Sequence, residues 1–242
     1  MKRGYLWIYT LTITGVLLIF SSSCGKDDKD EHRLEPGTIK DIDGNTYQTV
    51  IIGSIEWMAE NLRTTRYNDG SSINYPGTDN NQWENNTTGA YSWYQNDRET
   101  YRDTYGALYN WHAVKTGKLC PAGWRVPTDD DWTEANRSLA ANAGGKLKDN
   151  NAGYWQGTNT DATNETGFNA LPGGGRFSAL PGGSRAEVHG YFYYMGKSGR
   201  WWTSTEHSPS EAWYRSVHSN SGNLYRSHNY KETGFSVRCV RD

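Results

Sequence analysis

The chain has 242 residues, and its 25 lysines and arginines against 27 acidic residues give a formal net charge of −2 at pH 7. A nucleic-acid partner needs a clustered basic face, so this balance argues against one. Eleven tryptophans and 17 tyrosines accompany 27 glycines and only three methionines. We therefore expect a core built largely from aromatic rings, with many glycine-rich turns, rather than a helical bundle or a doubly wound sheet.

Residues 1–23 have the pattern of a bacterial export signal. Lys2 and Arg3 precede an uncharged, mostly apolar run over residues 6–20, and small serines lie directly before Cys24. A spanning helix needs about 20 apolar residues, so the shorter run favours a cleaved signal over a transmembrane helix. The serines before Cys24 resemble the bacterial lipobox, which implies that this cysteine carries lipid. Several acyl chains would then anchor the protein to the membrane.

Residues 24–37 are predicted to be a lipidated, solvated tether, because their charged tract cannot build a core. The lysine and aspartates just after Cys24 resemble the export tag of Bacteroidetes-type lipoproteins. A plain hydrophilic linker is the alternative. The tag implies a lipid-anchored protein of the outer membrane, exposed at the cell surface.

One domain is expected over residues 38–242. It opens with a hairpin turn at 41–45 and a β-branched strand at 47–52, followed by a helix near 57–62. Residues 68–106 show no sustained period and are predicted to be loops with short extended pieces.

The clearest helix signal starts at Thr128, which can cap a helix with Asp131 three residues later. Apolar residues recur from Trp132 at helical spacing, and Gly144 and Gly145 are predicted to stop the helix. Three strand-like segments close the chain, at 213–218, 223–226 and 234–241.

With Cys24 used for lipid, the remaining cysteines are Cys120 and Cys239. An even pair in an oxidising compartment predicts a disulfide. It would close a loop of over a hundred residues and stabilise the domain by about 4–5 kcal/mol in the chain-entropy model.

Catalytic motifs are missing from the sequence, which contains no HExxH, CxxC or GxSxG. The six histidines show no metal-ligand spacing along the chain, so neither a metal nor a cofactor is predicted. His218 and His228 could meet across neighbouring strands, but such a pattern more often reflects two ordinary surface histidines than a functional pair.

Several blocks appear in the order typical of one family. They are DIDGNTYQTVIIGSIEWMAENLRTTRYNDG (41–70), GALYNWHAV (106–114), LCPAGWRVPTDDDW (119–132), WWTSTE (201–206) and GFSVRCVRD (234–242). From about Thr38 onwards the chain resembles the Fibrobacter succinogenes major paralogous domain family. That family is related to the C-type lectin-like fold. The resemblance implies an α+β domain with two small antiparallel sheets, two helices, long loops rich in glycine and asparagine, and chain ends brought close.

Two classes of function remain, because a shared fold is weak evidence of activity. The first is a non-catalytic surface module that binds a glycan, a peptide or a partner protein, and a structural component of a surface assembly is compatible with it. The second is an enzyme on a sulfatase-modifying-factor-like fold, although the paired active-site cysteines of formylglycine-generating enzymes are absent.

Aromatic and polar residues are densest between positions 201 and 230. Strand alternation sets Tyr214, Ser216 and His218 on one face, and this more polar face is expected to lie outward. The candidate ligand-binding residues are Trp201, Glu206, Tyr214, His218, Asn220, Asn223 and Tyr225.

Overall fold

The computed structural model describes Met1 and residues 35–151, 153–177 and 191–242. Contacts divide the chain into two units, Met1–Arg33 and Leu34–Asp242, and all elements below belong to the second. The export signal, Cys24 and the charged tract that follows it lie outside the described residues and stay predictions. Within the described residues, no helix combines the length and apolarity that crossing a membrane requires.

The secondary-structure elements are short. The strands are β1 (Thr38–Lys40), β2 (Thr46–Ile52), β3 (Ile55–Met58), β4 (Tyr91–Ser92), β5 (Leu108–Tyr109), β6 (Trp124–Arg125), β7 (Gly173–Phe177), β8 (Tyr191–Met195), β9 (Ser198–Glu206), β10 (Glu211–His218), β11 (Tyr225–Tyr230) and β12 (Val240–Arg241). The α-helices are α1 (Asn80–Glu84), α2 (Arg98–Tyr105), α3 (Trp111–Lys115), α4 (Asp129–Leu139) and α5 (Ala143–Leu147).

The strands pair into several small antiparallel sheets. One has the order β1-β2-β3-β12-β6, a second has the order β11-β10-β9, and two further sheets are the pairs β4-β5 and β7-β8. The mixed helix-and-sheet class with small antiparallel sheets is confirmed. The described residues contain four sheets and five α-helices rather than two of each, because many short elements are separated by turns.

The first strands follow the prediction only in part. The Asp41 carboxylate accepts hydrogen bonds from the backbone N–H groups of Asp43 and Asn45, both at 2.9 Å, and so forms the predicted turn before β2. The helix predicted near 57–62 is wrong. Gly53, with φ of +63°, reverses the chain so that β3 pairs with β2. Tertiary pairing thus overrides the local signal.

Two α-helices, α1 and α2, lie in the region predicted to be loops. Of these, α2 begins where the Asp97 side chain accepts a hydrogen bond from the Thr100 N–H at 3.1 Å. No residue of α2 is fully buried. Its inner face consists of two half-buried rings one turn apart, Tyr101 and Tyr105, which is too short a pattern for the sequence to identify as a helix.

Helix α4 starts as predicted and ends earlier. The Thr128 hydroxyl accepts from the Asp131 N–H at 3.1 Å, and the Asp131 carboxylate accepts from the Thr128 N–H at 2.7 Å. The helix ends at Leu139, directly before Ala140, whose φ is +56°. The prediction that Gly144 and Gly145 stop it is wrong, because both lie inside α5. A Cβ on Gly144 would overlap the carbonyl of Asn223, so glycine serves close packing there.

The core is aromatic, as the composition predicts. One cluster contains Trp93, Trp111, Trp202 and Phe235. The other contains Trp57, Trp132, Phe168 and Trp201, and the rings of Trp57 and Trp132 lie 4.7 Å apart edge to face. Such edge-to-face pairs add about 0.5–1.5 kcal/mol beyond area burial.

The predicted disulfide joins Cys120 to Cys239, whose Cα atoms lie 5.9 Å apart. Both cysteines belong to the first aromatic cluster and are almost fully buried. The bond therefore ties the C-terminal segment to the chain just before β6.

Candidate functional site

The turn between β10 and β11 brings together four of the candidate ligand-binding residues. We call residues 218–225 the hairpin tip. His218 ends β10 and Tyr225 begins β11, with their rings edge to face at 5.0 Å. Asn220 and Asn223 are exposed in the turn, and Tyr225 is 41% exposed. The tip therefore presents a ring, an imidazole and two amides together.

The backbone of the hairpin tip is held from beneath by α5 and Lys148. The Lys148 ammonium is buried and donates hydrogen bonds to the carbonyls of Thr160 at 2.6 Å, His218 at 3.1 Å and Ser221 at 3.0 Å. Burial lowers the pKa of Lys148 to about 8. The Gly145 N–H donates to the Gly222 carbonyl at 2.9 Å. These bonds fix the turn while its outer side chains remain available.

The imidazole of His218 is uncharged at neutral pH. Burial, followed by the positive charges of Arg200 and Lys148, lowers the pKa of His218 to about 4. Its Nε2 atom lies 3.1 Å from the Ser216 hydroxyl oxygen. A neutral imidazole can donate or accept a hydrogen bond, which suits recognition of uncharged polar groups.

A hydroxyl pair extends the polar surface of the tip. The Ser221 and Tyr225 hydroxyl oxygens lie 2.8 Å apart, and the Asn223 N–H donates to the Ser221 hydroxyl at 3.2 Å. This contact holds the Tyr225 ring in place across the turn. A preordered ring loses less conformational entropy when a ligand stacks on it.

Trp201 does not belong to this surface. Its side chain is 0% exposed and contacts the rings of Trp132 and Phe168. Its indole N–H donates to the Asn61 side-chain oxygen at 2.8 Å. The assignment of Trp201 as a ligand-binding residue is therefore wrong, because the second aromatic cluster covers the ring.

The expectation that the Tyr214 face of β10 lies outward is also wrong at the middle of the strand. The Tyr214 ring lies 4.7 Å from Phe235 and 6.1 Å from Trp202, and Ser216 is buried. On the opposite face, Arg215 binds Asp129 of α4. Both faces of β10 therefore pack against other parts of the domain at its middle, and Tyr214 is only partly exposed there.

Glu206 is exposed but lies at the other end of the sheet. It ends β9, where it is opposite Ala212, and its carboxylate is 3.1 Å from the Lys231 ammonium. His218 is six positions after Ala212 in β10, which corresponds to about 20 Å along an extended strand. Glu206 and the hairpin tip therefore cannot contact the same small ligand.

Three further side chains meet beside Glu206 and were missed by sequence reasoning. We call His207, Glu211 and His228 the His–Glu cluster, in which one possible metal-binding atom from each residue lies within 4.8 Å of the others. Their spacing along the chain is uninformative. The grouping needs the register of β10 and β11, in which Trp213 is opposite His228. These are the residues of this sheet that could hold a metal.

Comparison with known proteins places this geometry in a family context. The family model described as the Fibrobacter succinogenes major domain matches residues 50–241, which include both the hairpin tip and the His–Glu cluster. No curated protein and no solved structure gives a significant match to the chain.

Proposed function

The chain belongs to the Fibrobacter succinogenes major domain family, and we propose that it is a non-catalytic binding module. The proposal is supported by the relationship of this family to the C-type lectin-like fold, which other proteins use to bind ligands. The hairpin tip would recognise an extracellular glycan, peptide or partner protein. The observation that carries this proposal is the exposed Tyr225 ring, which stands beside the Asn220 and Asn223 amides on a firmly held turn. Rings next to amides provide stacking and hydrogen bonding together.

The proposal includes a C-type lectin-like fold. Support comes from the five-stranded sheet, in which β1 and β2 from the start of the domain join β12 from its end. This arrangement brings the two ends of the domain together, as the related fold requires.

The proposal also places the module at the outer-membrane surface, anchored through lipid on Cys24. The lipobox-like serines and the acidic tag after Cys24 support this location. We expect a Cys24→Ala variant to leave the membrane fraction, because it lacks the acyl chains. Protease treatment of intact cells should cleave the wild-type domain and spare a variant with Asp27→Ala and Asp28→Ala. Equal protection of both would contradict surface exposure.

Recognition by the hairpin tip is tested after a glycan-array and pull-down screen has identified a ligand. Tyr225→Ala should weaken binding by about 0.5–1.5 kcal/mol beyond the lost contact area, with a nearly unchanged melting temperature. Tyr75→Ala is the matched control, since Tyr75 is also 41% exposed but lies outside the tip. Equal affinity of wild type and Tyr225→Ala, or equal losses in both variants, would refute recognition at this turn.

A further inference from the structure

We infer that the His–Glu cluster binds one divalent transition-metal ion, zinc being the ion that fits its ligands best. The ligands would be Nδ1 of His207, a carboxylate oxygen of Glu211 and Nδ1 of His228. This inference goes beyond the proposed function, because the cluster is at the opposite end of the three-stranded sheet from the hairpin tip.

The donor atoms already face one another. Nδ1 of His207 lies 3.6 Å from one Glu211 oxygen, and Nδ1 of His228 lies 3.2 Å from the other. The first distance is too long for a hydrogen bond, so the two groups face each other without a direct bond. Tetrahedral zinc with bonds of about 2.0–2.1 Å places its ligand atoms about 3.3 Å apart. The present separations, up to 4.8 Å, require an inward shift of roughly 1 Å.

The side chains have room for that shift. The side chains of His207, Glu211 and His228 are 30%, 25% and 42% exposed. Rotation at the surface therefore requires no rearrangement of either aromatic cluster. The site is also open to ions arriving from solvent.

The local backbone holds the three residues together before any ion binds. The N–H groups of His207 and Ser208 both donate to the Glu211 carbonyl at 3.0 Å, which closes the turn between β9 and β10. The two imidazole rings are stacked with centroids 3.9 Å apart and planes within 1°. The Trp213 ring meets their edges at 4.5 Å and 5.5 Å. Because an imidazole binds a metal ion in its own ring plane, one of the two rings must turn out of this stack before both nitrogens can reach the same ion.

The Glu211 carboxylate of the cluster is available to the two histidines, because the nearby lysine and arginine pair with other acidic residues. Lys231 is held by Glu206 at 3.1 Å, and Arg226 is held by Asp129 at 2.7 Å. Across the described part of the chain, the Glu211 carboxylate has ion-pair distances only to His207 and His228. A bound dication would therefore meet an anionic ligand whose charge is not taken up by lysine or arginine.

The ligand set favours zinc over calcium. Two imidazoles, which are borderline donors, together with one carboxylate suit zinc and its neighbours in the first transition series, whereas calcium takes six to eight oxygen ligands. Three protein ligands leave one tetrahedral position for water or for a donor atom of an external ligand.

The test is titration calorimetry of the purified chain with zinc chloride at pH 7.5. All samples carry Cys24→Ser and no polyhistidine tag, and the disulfide occupies the other two cysteines, so no free thiol competes for the ion. We expect one zinc per chain. His228→Gln and Glu211→Gln should each raise the dissociation constant at least about tenfold, since each removes a ligand. Affinity should also fall at lower pH, because protons compete for the imidazoles.

His112→Gln is the matched control. His112 lies 3.5 Å from the Glu232 carboxylate but belongs to no group of three possible ligands among the described residues. The His112→Gln variant should bind zinc with the same affinity as the parent. Melting curves without metal establish that every variant is folded. Failure of the parent to bind zinc, equal affinity of parent and His228→Gln, equal loss in His112→Gln, or tighter binding of calcium at the same residues would overturn the inference.

Discussion

At the scale of single residues, His218 combines burial with an unfavourable charge environment. Its pKa of about 4 results first from burial and then from the positive charges of Arg200 and Lys148. Unfolding restores the ordinary histidine pKa of about 6.5. Between these two values the unfolded chain binds more protons than the folded chain, so stability falls as the pH decreases.

We predict that the free energy of unfolding decreases by about 1–2 kcal/mol between pH 7 and pH 5 because of His218 alone. The His218→Gln variant should lose that much less over the same range. Denaturant unfolding at both pH values measures the difference, and NMR titration of the ring gives the folded midpoint directly. A midpoint near 6.5, or identical pH dependence in the two proteins, would contradict the prediction.

At the scale of elements, Asp129 joins α4 to the three-stranded sheet. Its carboxylate accepts hydrogen bonds from Arg215 in β10 at 2.7 Å and from Arg226 in β11 at 2.7 Å. Arg215 is 3% exposed, so its guanidinium depends on this partner. The aspartate run at the start of α4 therefore does more than suit the helix N-terminus, because the Asp129 carboxylate also has a tertiary role.

We predict that Asp129→Ala lowers the free energy of unfolding by about 3–5 kcal/mol, because it leaves a buried guanidinium without its anion. The neighbouring Asp130→Ala is the control. Asp130 is exposed, and losing an acidic group from the first helical turn costs at most about 1 kcal/mol. Urea denaturation of both variants tests this, and losses of similar size would show that only the charge at the helix start matters.

The predicted elements succeed where local chemistry decides and fail where pairing decides. The capping box at Thr128 and the β-branched run before Ile52 are local signals, and the structure confirms both elements. The helix predicted near 57–62 fails because β2 was available as a partner for β3. Gly144 and Gly145 were interpreted as a stop signal, but their packing partners come from distant segments.

At the scale of the whole molecule, the Cys120–Cys239 disulfide closes a loop with a sequence separation of 119. We predict that the double variant Cys120→Ala, Cys239→Ala loses about 2–5 kcal/mol of stability. Guanidinium unfolding with and without reductant measures this. Reductant should lower the stability of the wild type to that of the double variant and leave the double variant unchanged. Wild-type stability in the double variant would show that the core alone holds the C-terminal segment.

The candidate site was also predictable only where residues close in sequence form it. His218, Asn220, Asn223 and Tyr225 are close in sequence around one turn, so a strand–turn–strand pattern was enough to group them. Trp201 and Tyr214 were assigned to the same surface because alternation identifies two faces of a strand. Alternation does not identify which layers cover those faces, and here both faces of β10 are covered at its middle.

The aromatic core, the disulfide and the hairpin that carries the candidate site were predictable, because they follow from composition, from the number of cysteines and from turn residues adjacent in the chain. The burial of Trp201 and the meeting of His207, Glu211 and His228 were not predictable, because they result from packing between distant segments. Burial depends on which distant layer packs against a strand, and the meeting of side chains depends on strand register. Both are set by contacts between segments far apart in the chain, which no local pattern records.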